Sequence, residues 1–319
     1  MLRSFLIYLS KAAWAQRIVT GWGLAWRVAS RFIAGTRIED AIRVIRELNA
    51  KGMNVTLDYL GEHTSTPQEA ADSTAAIIST LDAIKKSGLC ANVSIKLTQI
   101  GLGLDESVCR QNLERILIRA RDTSNFVRID MEDTPYTDQT IGLCQLMRTN
   151  GFTNTGIALQ SYLYRTEADA RKLLENGTPI RLVKGAYQEP ADKAFQKKAD
   201  VDANYDLLTK IMMDGALGAN SPKGSSDGCF PPIPAIGTHD VNRITFAKRY
   251  AERISLPKNA FEFQMLNGIR RDLQEQLVQE GYAVRVYVPF GQHWYPYFMR
   301  RLAERPANLW FFISNFLRG

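Results

Sequence analysis

The sequence predicts an α/β protein built as a TIM-type (β/α)8 barrel with a helical extension at its N-terminus. From residue 37 onward, short apolar β-rich runs alternate with amphipathic helical runs, eight of each. Such alternation implies parallel strands joined by right-handed crossovers, and eight units over about 250 residues match the size of a closed barrel. No G-x-G-x-x-G follows a strand, which argues against an open dinucleotide-binding sheet.

The strands are expected at 54–59, 92–97, 126–130, 156–160, 180–183, 235–238, 260–264 and 283–288. The helices between and after them are expected at 67–86, 105–121, 137–150, 167–175, 192–214, 241–253, 270–280 and 292–301. The organisation is thus an extension over 1–36, a barrel over 37–305 and an amphipathic tail over 306–319. One stretch breaks the rhythm: residues 215–234, dense in Gly, Pro and Ser, have little to bury and read as a solvated, mobile insertion, with a lid as the alternative.

The chain has 319 residues, 45% hydrophobic and 23% charged, so disordered and fibrous classes are excluded. Its net charge of +7 is concentrated at the ends. Arg3, Lys11, Arg17, Arg27 and Arg31 stand without an acid in the first 35 residues. Arg285, Arg300, Arg301, Arg305 and Arg318 stand against Glu304 alone in the last 35. A nearly neutral barrel without a binding motif gives no support to nucleic-acid binding. The N-terminal arginines interrupt any spanning helix and, with Trp14, Trp22 and Trp26, suggest amphipathic helices that pack on the barrel or rest on a membrane surface. Cys90, Cys109, Cys144 and Cys229 are widely spaced and only His63, His239 and His293 occur, so neither a disulfide framework nor a zinc site is indicated. A reducing cytoplasm is the simplest setting.

Barrel active sites lie at the carboxyl ends of the strands. Those ends carry Asp58, Lys96, Asp130 with Glu132 and Asp133, Gln160, Lys184, Thr238-His239-Asp240, Gln264 and Tyr287. Asp130 alternates with Ile129 and should point into the mouth, whereas Asp133 and Thr134 suit a helix cap. In the last helix, Tyr297, Arg300, Arg301 and Glu304 share a face. Turned inward, the arginines would clamp a carboxylate or phosphate; turned outward, they form a solvated face. Lys184 and Lys96 are also competent to form an imine, which leaves a lysine-dependent aldolase open.

Taken together, SIKLTQIG (94–101), RIDMED (128–133), LQSYLYRTEAD (159–169), RLVKGAYQEP (181–190), IGTHD (236–240), EFQMLNG (262–268), RVYVPFG (285–291) and YFMRRLAE (297–304) resemble the proline dehydrogenase family. The resemblance implies a distorted barrel holding FAD noncovalently, with hydride transfer from C5 of L-proline to N5 of the flavin to give Δ1-pyrroline-5-carboxylate. It implies that Arg300, Arg301 and Lys96 bind the substrate carboxylate and that Glu304 orients the arginines. Tyr287, Tyr297 and Leu266 would wall the substrate ring. Asp130 and Arg181 would lie beside the reacting part of the flavin. Met131, Gln160, Lys184, Gly185, Ala186, Tyr187, Thr238 and His239 would contact the cofactor. The chain is short for a second catalytic domain, so the resemblance implies a separate pyrroline-5-carboxylate dehydrogenase and a membrane quinone as electron acceptor. The 215–234 stretch and Asp240 depart from the family pattern.

Overall fold

The computed structural model describes residues 9, 12–21, 23–61, 63–218 and 221–304. Most of the first eleven residues, Trp22 and the expected tail over 306–319 lie outside them.

Eight parallel strands close into a barrel in chain order: β1 (Asn54–Tyr59), β2 (Ala91–Ile95), β3 (Val127–Ile129), β4 (Thr155–Gln160), β5 (Ile180–Val183), β6 (Pro234–Gly237), β7 (Glu262–Leu266) and β8 (Ala283–Phe290). The seam is β8 against β1, with Asn54 level with Arg285 and Thr56 level with Tyr287. Side chains alternate between the two faces of each strand. Val55, Leu57, Val93, Ile95, Ile129, Ile157 and Val286 face outward and share one apolar core with helix residues such as Ile77, Leu81, Ile116 and Leu117. The inward set is polar: Thr56 donates to Asn92, Ser94 to Asp130, Arg181 to Asp130 and Arg285 to Glu262. Barrels of this type ordinarily fill their interior with branched apolar residues. Here the interior is a hydrogen-bonded lattice.

Helices α1 (Ala13–Thr20) and α2 (Gly23–Ala29) precede the barrel, followed by α3 (Ile38–Asn49). Each strand is then followed by a helix: α4 (Pro67–Ser87), α5 (Glu106–Asp122), α6 (Thr137–Thr149), α7 (Thr166–Glu175), α8 (Lys198–Gly215), α9 (Val241–Arg253), α10 (Arg271–Gln279) and α11 (Trp294–Glu304). Helix α3 is not among the eight expected helices, although Ile38, Ala41, Ile42 and Ile45 stand at helical spacing. Its buried Ala41 and Ile45 join the main core beside Met53 and Val284, so α3 covers the β8–β1 seam that an eighth outer helix would cover. The last helix is freed from that duty. Trp294, Tyr295, Phe298 and Leu302 of α11 pack instead with Ala15, Ala25, Val28 and Phe32 of the N-terminal segment in a second cluster. Trp26 meets Trp294 edge-on at 5.3 Å, and the Tyr295 hydroxyl donates to the Leu9 carbonyl at 2.8 Å. The inner side of the extension is therefore a packing surface.

Two boundaries differ from expectation. Helix α8 starts at Lys198 rather than 192, because the backbone of 193–195 is engaged elsewhere: Tyr164 N–H donates to the Lys193 carbonyl and Phe195 N–H to the Tyr162 carbonyl. Strand β7 starts at Glu262 because Lys258–Ala260 form a 3-10 turn.

The expectation of a solvated 215–234 insertion is corrected over its later part. Gly228, Cys229 and residues 231–234 are buried at the amino-terminal end of the barrel, opposite the mouth. The Cys229 carbonyl accepts from Asn92 Nδ2 at 2.9 Å, the Gly228 carbonyl accepts from Arg285 Nη2 at 2.8 Å, and Phe230 packs edge-on against Phe126. The segment is held here by its apolar run over 229–234, which is largely buried, and by carbonyls that satisfy donors of the polar barrel interior. It is a plug rather than a lid.

Gly228 sits at φ +67, and a Cβ there would meet Asn54 Oδ1 at 2.1 Å. Gly228→Val should lower stability by roughly 1–3 kcal/mol in urea denaturation, a cost set by the left-handed conformation. The exposed neighbour change Ser226→Ala should leave the midpoint unmoved. An unchanged midpoint in Gly228→Val contradicts the plug.

Candidate active site

The strand ends converge on one cavity of about 660 Å³. Its floor is organised by Asp130, just beyond β3. One carboxylate oxygen accepts from Arg181 Nη1 at 2.6 Å and Ser94 Oγ at 2.7 Å; the other accepts from the Tyr287 hydroxyl at 2.7 Å. Lys96 lies between Asp130 (3.9 Å) and Asp58 (3.1 Å). Burial alone would raise the pKa of both carboxylic acids. For Asp130 the burial is outweighed by Arg181, Lys96 and the Ser94 and Tyr287 hydroxyls, and the net shift is downward. For Asp58 burial wins over Lys96, with the Asp130 charge adding to it, and the net shift is upward. Burial and the Asp130 and Asp58 charges push the Tyr287 phenol well above its ordinary value, so it stays a hydrogen-bond donor. Arg181 lies over the Tyr287 ring at 5.2 Å and donates through Nε to Gln264 Oε1.

The second wall comes from the ends of β4, β5 and β6. Gly185 takes φ +114, and a Cβ there would stand 2.4 Å from the Tyr162 ring, so the chain can bend past that ring only as glycine. The bend brings Lys184, Gly185, Ala186 and Tyr187 onto the cavity. Lys184 Nζ contacts Asp202 at 2.5 Å and Asp240 at 2.6 Å. Thr238 and His239 line the same wall. His239 Nε2 accepts from the Leu266 backbone N–H at 2.9 Å, which assigns the ring a neutral form with its proton on Nδ1. Gln160 is 3% exposed and lines the cavity, and its Oε1 is buried without a partner among the described residues. A buried acceptor of this kind calls for a donor from a ligand.

The roof is α11. Tyr297, Arg300 and Arg301 all line the cavity, with the Arg301 guanidinium 5.1 Å over the Tyr297 ring. The two arginines are therefore turned inward, as the clamp reading requires. Leu266 completes this side. The cavity thus brings together Asp130, Arg181, Lys96, Arg300, Arg301, Tyr287, Tyr297, Leu266, Met131, Gln160, Lys184, Gly185, Ala186, Tyr187, Thr238 and His239. The side chain of Glu304 lies outside the described residues.

Sequence reasoning noted Asp58 and Gln264 only as polar strand ends and did not see Ser94 as a partner of Asp130. Their signal was the two-residue spacing Thr56/Asp58, Ser94/Lys96 and Glu262/Gln264, which marks inward positions. Thr134 and Asp133 do not cap by side chain: the Thr134 N–H and hydroxyl both go to Glu189, and Asp133 makes no side-chain cap bond. Both lysines considered as imine nucleophiles are ion-paired to carboxylates, which opposes the aldolase alternative. Among the described residues no group of three or more His, Cys, Asp or Glu side chains is placed to hold a metal ion.

A dinucleotide-sized flavin fits these features. The volume is within the range of about 300–1,000 Å³ common for small-molecule sites. The Gly185-Ala186 strip admits a flat ring, Gln160 offers the unmet acceptor, and Lys184 and Lys198 place cations toward the outer rim.

Residues 41–313 match the family model described as Proline dehydrogenase. The chain is 40% identical over 298 residues to Proline dehydrogenase of Deinococcus radiodurans, covering 92% of this chain and 91% of that one. It is 38% identical over 311 residues to Proline dehydrogenase 2 of Bacillus subtilis, covering 97% and 96%. Its fold is similar to the crystal structure of proline utilization A from Bdellovibrio bacteriovorus inactivated by N-propargylglycine, with TM-score 0.79 and 26% identity. That match covers 91% of this chain and 33% of the larger protein, so the chain spans about a third of it.

Asp130 gives the site a definite pH signature. Its folded pKa lies below the ordinary 3.8, so its stabilisation is present above about pH 4 and is lost as pH falls through the folded value. Asp130→Asn, which leaves Arg181 buried without its carboxylate, should cost about 3–5 kcal/mol at pH 7. The gap to wild type should shrink as denaturation is measured below pH 4. A gap that is constant with pH contradicts the assignment.

Proposed function

The chain belongs to the proline dehydrogenase family, and from that premise we propose how its cavity oxidises L-proline to Δ1-pyrroline-5-carboxylate. The chain is an oxidoreductase of proline catabolism in a family that is generally flavin-dependent. The observation that carries the reading is that one cavity joins an inward pair of arginines on α11 to the Asp130–Arg181 pair on the barrel floor.

In this reading Arg300 and Arg301 bind the proline carboxylate, with Lys96 contributing charge from below. Two guanidinium groups fix a carboxylate in direction as well as in place. Tyr287, Tyr297 and Leu266 enclose the pyrrolidine ring and exclude water from C5. Glu304, one turn along the arginine face of α11, would orient the clamp. Gln160, Met131, Thr238, His239 and the Lys184–Tyr187 strip would hold FAD noncovalently. Bound there, FAD would supply the two-electron acceptor that proline oxidation requires. Arg181, held by Asp130 at 2.6 Å, would offer a fixed positive charge to a flavin that gains negative charge on reduction. Neutral His239 serves as a strut between the ends of β6 and β7 and carries no catalytic proton.

The reduced cofactor needs an oxidant, and we assign that role to a membrane quinone. Trp14, 58% exposed, and the exposed Arg17 lie on the outer side of α1 and offer an aromatic and a cationic group to a bilayer surface. Among the described residues no helix is long and apolar enough to cross a membrane. The product goes to a separate pyrroline-5-carboxylate dehydrogenase.

Substitution at the roof tests the division of labour. Arg300→Ala or Arg301→Ala should raise KM for L-proline about 10–100-fold, equivalent to roughly 1.4–2.8 kcal/mol of binding, with flavin content unchanged. Loss of bound flavin at unchanged KM contradicts the assignment of the clamp to proline.

A further inference from the structure

The cavity floor is tied to the opposite end of the barrel by a continuous polar line. Arg181 Nε donates to Gln264 Oε1, and Gln264 Nε2 donates to Glu262 Oε1. The Glu262 carboxylate is gripped by Arg285 through Nε at 2.9 Å and Nη2 at 3.1 Å. Arg285 in turn donates to the Val55 carbonyl at 3.1 Å and to the Gly228 carbonyl of the plug at 2.8 Å. Glu262 and Arg285 are each 1% exposed, and neither lines the cavity.

The chemistry of the line gives it a direction. A glutamine side chain can turn over and exchange its carbonyl and amino ends. An ionised carboxylate offers only acceptors, so beside Glu262 the Gln264 amino group must face the carboxylate and its carbonyl must face Arg181. The reverse orientation would set an N–H donor against Arg181 Nε–H and a carbonyl against the carboxylate. Glu262 thereby guarantees an acceptor at Arg181 Nε. With Asp130 taking Nη1, the guanidinium is held on two edges, and its plane over the Tyr287 ring is fixed.

We propose that Glu262 is a positioning residue for proline oxidation, acting through Gln264 to fix the orientation of Arg181, with Arg285 and the plug carbonyl of Gly228 holding Glu262 from behind. The proposal rests on the reading of Arg181 as the cation beside the reacting edge of the flavin. A preorganised charge stabilises developing negative charge without reorienting during the reaction, whereas a guanidinium free to turn loses that advantage.

Removing Glu262 alone would confuse orientation with the loss of a negative charge. The paired substitution Glu262→Gln with Arg285→Gln removes one charge of each sign and leaves the net field near the flavin almost unchanged. In the full-length, flavin-loaded protein the midpoint potential of the bound flavin should then become more negative. Anaerobic reduction by L-proline should slow about tenfold, with KM for proline within twofold of wild type. Glu262→Asp, which keeps the charge but retracts it, should shift the potential in the same direction by less. If the amide pair does not accumulate as folded protein, Glu262→Met with Arg285→Met removes the same charges in apolar form and carries the same expectation. A folded pair variant with reduced denaturation midpoint but wild-type flavin potential overturns the proposal, because a merely structural ion pair would do only that. Wild-type protein that is reduced by proline alongside such a variant leaves the reading of the cavity standing; wild-type protein that holds no flavin overturns both.

Discussion

Asp130 and Arg181 meet at 2.6 Å beneath the cavity, 12% and 6% exposed at their side chains. A connected set of polar contacts in the barrel interior can be traced from that pair. Ser94 and Tyr287 complete the carboxylate, Gln264 completes the guanidinium, and Lys96 links the pair to Asp58. Two buried charges are tolerated only when paired and fully hydrogen-bonded, so the pair constrains the residue types at inward positions on several neighbouring strands. The interior holds the acids Asp58, Asp130 and Glu262 against the cations Lys96, Arg128, Arg181 and Arg285. Arg128 is the cation without a carboxylate of its own; it donates to the Pro179 and Ile157 carbonyls, and burial together with the Arg181 charge pushes its pKa down to about 9. The excess of positive charge beneath the cavity suits a cofactor that gains negative charge on reduction.

That interior also explains two departures from a regular barrel. A polar core needs its amino-terminal end closed by groups that accept hydrogen bonds, and the plug around Gly228 and Cys229 does so with backbone carbonyls. The mouth is roofed by α11, which carries Arg300 and Arg301, while α3 covers the β8–β1 seam. The N-terminal helices then anchor α11 through Trp26, Val28 and Phe32. The cavity roof is thus coupled by packing to a segment far from it in sequence.

Much of this was legible in the sequence. The alternation of apolar and polar runs carried the eightfold repeat, and strand-end residues such as Asp58, Lys96, Asp130, Gln160 and Tyr287 line the one cavity described above. The arginine pair was legible by spacing, although its inward orientation depended on where α11 packs. Three things were hidden for physical reasons. Helix α3 has its buried positions set by a seam between the first and last strands, a contact invisible to local periodicity. The plug's short apolar run over 229–234 follows a Gly- and Ser-rich stretch, and the donors it meets, Asn92 and Arg285, lie on strands distant in sequence. Arg285 and Glu262 looked like ordinary charges in β8 and β7, and counting Arg285 with the basic C-terminal end misplaced it: it is 1% exposed and paired within the barrel.

The proposed function requires that the polar barrel mouth hold a flavin and deliver proline to it under the arginine pair. The visible absorption spectrum of the purified full-length protein, recorded anaerobically through a titration with L-proline, addresses it directly. The expected result is an oxidised flavin spectrum that bleaches as proline is added. A protein without flavin absorbance, or a flavin that stays oxidised in excess proline, contradicts it.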